Sequence, residues 1–202
     1  MANPEWHRWW SHMIPAGYLL KRIAPPPGWL PAPHIVDVCS VSGCVNENVV
    51  ELQKSWLHNG FGLANDPQML LRAGQAGGAV KDAILFYYEV FEQEIESDGW
   101  SIDPTSWRPI SRLRSATVET RVAPVPKASA AKLLGYDLVV SNDFLEHSPL
   151  SCNSVAVELG ANAHCLFDTL DQARRAVDEG GFGGGCEDGV YRIMSVSMIV
   201  RG

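Results

Sequence analysis

Apolar positions recur along this chain with two periods, and the periods predict its elements. From Val80, the residues Ala83, Ile84, Tyr87, Tyr88, Phe91 and Ile95 repeat at helical spacing, with Lys81, Asp82, Glu92 and Glu96 on the other side, which predicts one longer helix over about residues 79–97. Trp6, Trp9, Trp10 and Met13 share that spacing and predict a short aromatic helix, ended by Pro15 and Gly17. Asn46 or Asn48 can cap a helix through Val49, Leu52, Trp56 and Leu57, and Asp66-Pro67 has the form of an N-cap and first helical residue before Met69, Leu70 and Leu71. Lys127 to Leu134 reads as a short helix with Gly135 as its C′ residue, and Asp168 as the cap of a helix through Leu170, Ala173 and Val177 that ends at Gly180-Gly181.

Period-two and β-branched stretches predict strands at His34–Cys39, Ala116–Val122, Tyr136–Val140, Ala163–Phe167 and Val190–Val200, the last of them central. The proline-rich stretch Ala24–Pro33 lacks the amide donors for a ladder and reads as an extended strap. Together these elements predict an α+β fold: a mixed sheet of about five strands packed with several short helices and the one longer helix. A single domain over 1–202 is expected. The alternative is a division into an aromatic-rich region, residues 1–123, which holds all seven Trp, and an α+β region, residues 127–202. No internal repeat is evident in the sequence.

Composition narrows the class. Hydrophobic residues make up 46% and charged residues 19%, enough apolar content for a core without disulfides or a structural metal. The formal net charge of −7 argues against a phosphate-backbone partner and favours neutral or basic ones. Met1–Trp10 does not read as a signal peptide, and no apolar stretch approaches the roughly 20 residues that span a bilayer, so a cytoplasmic protein with no membrane or nucleic-acid partner is expected. Five cysteines, an odd number, suit reduced thiols.

Several groups bear on chemistry. Cys39 and Cys44 are near each other and near His34, but a structural zinc site needs four ligands, and Cys152, Cys165 and Cys186 supply no second close pair; adding His147 or His164 makes such a site imaginable without predicting it. No metal and no cofactor are therefore expected. A thiol enzyme needs a cysteine beside a histidine, and the candidates are Cys152 with His147 and Cys165 with His164. A capped turn at Ser151 or Asn153, opening a helix through Val155 and Val157, accounts for the same stretch. The loop Gly183-Gly184-Gly185 has no Lys and precedes Cys186-Glu187-Asp188, whose acids would repel phosphate. Trp6, Trp9 and Trp10 cannot all face one small core, which makes them candidate interface anchors.

The segments Leu134–Val140, Ser148–Asn153, His164–Asp168 and Gly189–Ile193 resemble a pattern of small uncharacterised bacterial proteins, and the whole is similar in style to immunity proteins that neutralise toxins of interbacterial competition. The resemblance implies a non-enzymatic protein-binding module that occludes the active site of a toxin with a basic surface. Trp6, Trp9, Trp10, Glu146, Glu187 and Asp188 are the expected partner-binding residues. The alternative expectation is a small thiol-dependent enzyme using Cys152 with His147. Oligomeric state is left open.

Overall fold

The computed structural model describes residues 13–30, 32–50, 58–78, 81–102, 109–115, 121–141, 145–152, 155–178 and 189–201. Its frame is one antiparallel sheet. The five longer strands are β1 (Met13–Arg22), β3 (Ile84–Ile102), β4 (Pro109–Ser115), β5 (Ser129–Ser141) and β7 (Gly189–Arg201); β2 (Glu47–Asn48) and β6 (Leu145–His147) are short. The order is β2-β1-β3-β7-β5-β6, with β4 also paired to β3, and every pairing is antiparallel where a mixed sheet was expected. Helices α1 (Pro67–Ala76), α2 (Pro149–Cys152) and α3 (Leu170–Asp178) complete an α+β fold that is mostly sheet. Strands from both sides of residues 123–127 pair in this sheet, β3 directly with β7.

The longer helix expected over about 79–97 is instead strand β3. Phe86, Tyr88 and Val90 are buried on one face and Phe91 on the other, while β1 and β7 bond its two edges. A strand covered on both faces loses its alternation, and its remaining apolar positions then match a helical period by chance. Similarly, Ser129–Leu134 is the start of β5 rather than a helix, because Ser129 to Leu133 pair with Arg201 to Ser197 of β7. Met13 to Tyr18 begin β1, while residues 1–12 of the expected aromatic helix lie outside the described residues. Glu47 and Asn48 form β2, and residues 51–57 of the helix expected there also lie outside.

Two expected strands are not strands. His34–Cys39 starts in a turn and joins no sheet, bonding instead to a second turn through Val36 N to Ala163 O (2.8 Å) and Cys39 N to His164 O (3.0 Å). Ala163–Phe167 is that turn, which packs on the sheet and pairs with it through the bridge Tyr136–Phe167. Of Ala116–Val122, residues 116–120 lie outside the described residues, and Arg121 and Val122 are not in a strand. Residues 155–160 form turns, so the helix expected to open at Ser151 or Asn153 and run through Val155 and Val157 is not formed; the short α2 ends at Cys152, before those residues.

The caps of α1 and the centre of β7 follow expectation. Asp66 Oδ1 accepts the Gln68 N–H at 2.8 Å and Pro67 takes the first helical position, where no amide is needed. Helix α3 starts after Thr169, whose Oγ1 accepts the Gln172 N–H at 3.1 Å; Asp168, the expected cap, instead donates its own N–H to Gln172 Oε1 at 3.0 Å. Strand β7 lies between β3 and β5, and its Ile193, Met194 and Val196 are fully buried.

The structure also reveals a repeat that the sequence does not advertise. Gly17 of β1 pairs with Tyr88, Tyr88 with Val196, and Val196 with Gly135 of β5, so the four strands β1, β3, β7 and β5 are arranged symmetrically about the Tyr88–Val196 pair. Both glycines lie at strand bulges with φ near +141° and +151°. Each is pressed by an equivalent turn: a Cβ on Gly17 would meet Leu63 Cβ at 2.7 Å and Ala64 O at 2.8 Å, and one on Gly135 would meet Leu166 Cβ at 2.9 Å and Phe167 O at 2.5 Å. Asn59 and Asn162 organise these turns identically. Asn59 Nδ2 donates to Ala16 O and Asn65 Oδ1 while its Oδ1 accepts from Phe61 N and Leu63 N; Asn162 does the same with Leu134 O, Asp168 Oδ1, His164 N and Leu166 N. The repeat was hidden because its signature is sparse: each asparagine stands eight residues before a helix start in both halves, but the glycine precedes it by 42 residues in one half and 27 in the other.

Candidate thiol and imidazole site

The halves differ most where they carry charge. Lys21 of β1 and Asp137 of β5 lie on the same sheet face, since Lys21 is registered with Ile84, Phe86 with Met198, and Met194 with Asp137, each step keeping the alternation. By the symmetry, the other half has Val139 and Leu19 at these positions. Both charged side chains are buried, 1% and 0% exposed. Buried charge is tolerated only when fully hydrogen-bonded, and one short loop together with Ser148 supplies the partners. Lys21 Nζ donates to the carbonyls of Ser40 (2.6 Å), Val41 (3.0 Å) and Ser42 (2.8 Å). Asp137 accepts from Ser40 Oγ (2.7 Å), Val41 N (2.8 Å) and, across the loop, Ser148 Oγ (2.6 Å).

Lys21 thus takes the loop's acceptors and Asp137 its donors. Burial pulls the Lys21 ammonium down to about 8, against the opposing pull of Asp137 and the nearby thiols of Cys39, Cys44 and Cys152. Burial likewise raises the Asp137 carboxyl above the usual carboxylate range, against its hydrogen bonds to Ser148, Ser40 and Val41 and the charge of Lys21. The loop is closed further by Ser42 N to Ser40 Oγ (3.0 Å), Cys44 N to Ser42 Oγ (3.1 Å) and the Asn46 amide on Val38 O.

This loop carries Cys44 to the surface beside β6 and α2. Cys44 Sγ is 3.2 Å from His147 Nδ1. His147 is held by pairing of β6 with Val140 of β5, and Cys152 by the helical bond of its N–H to Ser148 O (2.7 Å). Cys152 Sγ receives the Ser148 N–H at 3.5 Å and lies 3.4 Å from Ser42 Oγ. The sulfurs of Cys44 and Cys152 and a ring nitrogen of His147 all lie within 4.8 Å of one another, Cys44 exposed and the other two half-buried.

A second group, Asp37, Cys39 and His164, is differently disposed. Asp37 Oδ1 is bonded to His164 Nδ1 at 2.7 Å and accepts the Cys39 thiol at 3.2 Å. Burial, and then Asp37, push the Cys39 thiol far above its ordinary range. This group is internally satisfied.

Of the expected pairs, the structure brings together Cys152 and His147 but gives the imidazole contact to Cys44. Cys39 and Cys44 diverge into the two groups, and His34 is bonded through Nε2 to Ala161 O at 3.0 Å. Cys165 does not pair with His164; it is buried against Leu150 O, and burial pushes its thiol up to about 12. Trp6, Trp9, Trp10, Glu187 and Asp188, together with the loop at 183–185 and Cys186, lie outside the described residues, and the side chain of Glu146 in β6 is likewise not described.

Sequence reasoning missed Lys21, Asp137 and the partnership of Cys44. A signal existed for Asp137, a lone charge inside the apolar strand Tyr136–Val140. An open groove of about 690 Å³ between α1 and the sheet, lined by Leu71, Ile84 and Met198 among others, offers no carboxylate, thiol or imidazole. No helix among the described residues is long and apolar enough to cross a membrane. Comparison with protein-family models, curated proteins and solved structures found no match.

Proposed function

We propose that the protein is a protein-binding module of the immunity type, an inhibitor that occludes the active site of a toxin with a basic surface. The observation that carries the reading is the fastening of the buried loop 40–42: all three donors of Lys21 go to its carbonyls and Asp137 Oδ2 accepts from Ser40 Oγ and Val41 N, which pre-organises the exposed Gly43 and Cys44 that follow it. The chain leading into this loop exposes Trp29 (50%) and Val36 (68%), apolar anchors of the kind that interfaces bury. The net charge of −7 favours encounter with a basic partner. Trp6, Trp9, Trp10, Glu146, Glu187 and Asp188 are the partner-binding residues this reading carries from the sequence.

Capture from host lysate at moderate salt, followed by expression of the captured protein alone and together with this one, tests the reading. A single stoichiometric partner whose toxicity is relieved by co-expression is expected, with relief weakened by Val36→Asp. Recovery of the protein alone, or a partner whose toxicity is unchanged, overturns it.

The contact between Cys44 Sγ and His147 Nδ1 favours a second reading, a thiol-dependent enzyme in which His147 takes the proton of a neighbouring cysteine. Either Cys152, as the sequence suggests, or Cys44 would then be the nucleophile. Site-resolved alkylation is expected to find one of these thiols reacting much faster than Cys39 and Cys165, and slowed by His147→Gln; uniform sluggish reaction excludes it.

A further inference from the structure

We propose that Cys44, His147 and Cys152 form a binding site for a divalent transition-metal ion of the zinc class. The donor set is two sulfurs and one imidazole nitrogen, the combination such an ion prefers over oxygen-seeking cations. The spacing fits. With metal–sulfur bonds of about 2.3 Å and metal–nitrogen bonds of about 2.0 Å, tetrahedral ligand atoms stand roughly 3.5 Å apart. Cys44 Sγ and His147 Nδ1 are already 3.2 Å apart, and no two of the three donor atoms exceed 4.8 Å. Small side-chain rotations complete the geometry.

The ligands are also held independently of the ion. Cys44 rides on the loop fastened by Lys21 and Asp137, His147 on strand β6, and Cys152 on the end of α2. Ser148 joins the three supports, since its hydroxyl bonds Asp137 while its N–H meets the Cys152 sulfur. Such outer contacts orient the ligands before metal arrives. Cys44 is exposed, so the ion has an entry path and a side open to a fourth ligand from solvent or from a bound partner. The Asp37, Cys39 and His164 group does not compete, because Cys39 is buried and its thiol proton is engaged by Asp37, which also holds His164.

The inference does not depend on either functional reading. Its test is titration of the reduced full chain with Co²⁺ and, against a chromophoric chelator, with Zn²⁺. One equivalent of Co²⁺ should bind with thiolate-to-metal charge-transfer absorption and the intense visible bands of a tetrahedral centre. Cys44→Ser, Cys152→Ser and His147→Gln should each weaken Zn²⁺ by roughly a hundredfold, while Cys39→Ser leaves the affinity unchanged; urea midpoints check that each variant is folded. Bound Zn²⁺ should also protect Cys44 and Cys152 of the unaltered protein from alkylation, a readout that needs no variant. Absence of the charge-transfer band, protection falling on Cys39 instead, or affinity unmoved in the Cys44→Ser and Cys152→Ser variants overturns the proposal.

Discussion

Replacing Lys21 by Met keeps a long unbranched side chain in β1 and removes the ammonium that the loop at 40–42 encloses. Lys21 is fully buried, with its pKa pulled from 10.5 to about 8. At about 1.36 kcal/mol per pKa unit, holding it charged in the folded state costs about 3 kcal/mol relative to the unfolded chain. The unfolded chain keeps this proton up to pH 10.5 and the folded chain only to about pH 8. Between those values the unfolded state binds more protons, so the Lys21 contribution makes the protein more stable as pH rises.

The natural protein should therefore gain roughly 2–3 kcal/mol over Lys21→Met between about pH 7.5 and 10. Cys39, Cys165, Tyr18 and Tyr87 oppose this trend in the natural protein, because burial raises each of them and the unfolded chain deprotonates first. All four stay protonated in the fold across the window, Cys39 even more firmly once the downward pull of Lys21 is removed, so they cancel in the difference. The offset at neutral pH mixes relief of the buried charge with three orphaned carbonyls, so the slope carries the test. Urea unfolding of both chains, reduced and followed by tryptophan fluorescence across the window, measures it. A difference constant to within about 0.5 kcal/mol would refute the reasoning, for it would mean that Lys21 meets water in the folded state.

The other expectations concern the two equivalent turns and one buried hydroxyl. Gly135→Ala places a Cβ 2.5 Å from Phe167 O at φ +151°, and should cost at least about 3 kcal/mol in urea unfolding; a loss under about 1 kcal/mol would show that the turn yields. Asn162→Ala removes four hydrogen bonds and should cost roughly 2–4 kcal/mol, with Asn59→Ala close to it; a large inequality would break the equivalence of the halves. Tyr88 Oη is buried with no hydrogen-bond partner among the described residues, so Tyr88→Phe should leave the melting temperature unchanged or raise it, and a clear fall would reveal a partner for that hydroxyl.

The features legible in the chain alone were local ones. Asp66-Pro67 set the start of α1, the β-branched run at Val190–Val200 marked the central strand, and apolar content ensured a core, because caps and burial preference act within a few residues. The helical period of Ala83 to Ile95 and the helix-forming residues of Lys127 to Leu134 were equally local, and both were overridden when neighbouring strands offered a full ladder of hydrogen bonds and buried both faces of β3. In the candidate site, His147 and Cys152 are close in sequence and joined by one turn, and so were legible together. Cys44 reaches them only because Lys21 and Asp137, on strands from opposite halves, fasten one loop between them. A lysine and an aspartate so far apart in the chain acquire that role from burial and register, which only the folded sheet supplies.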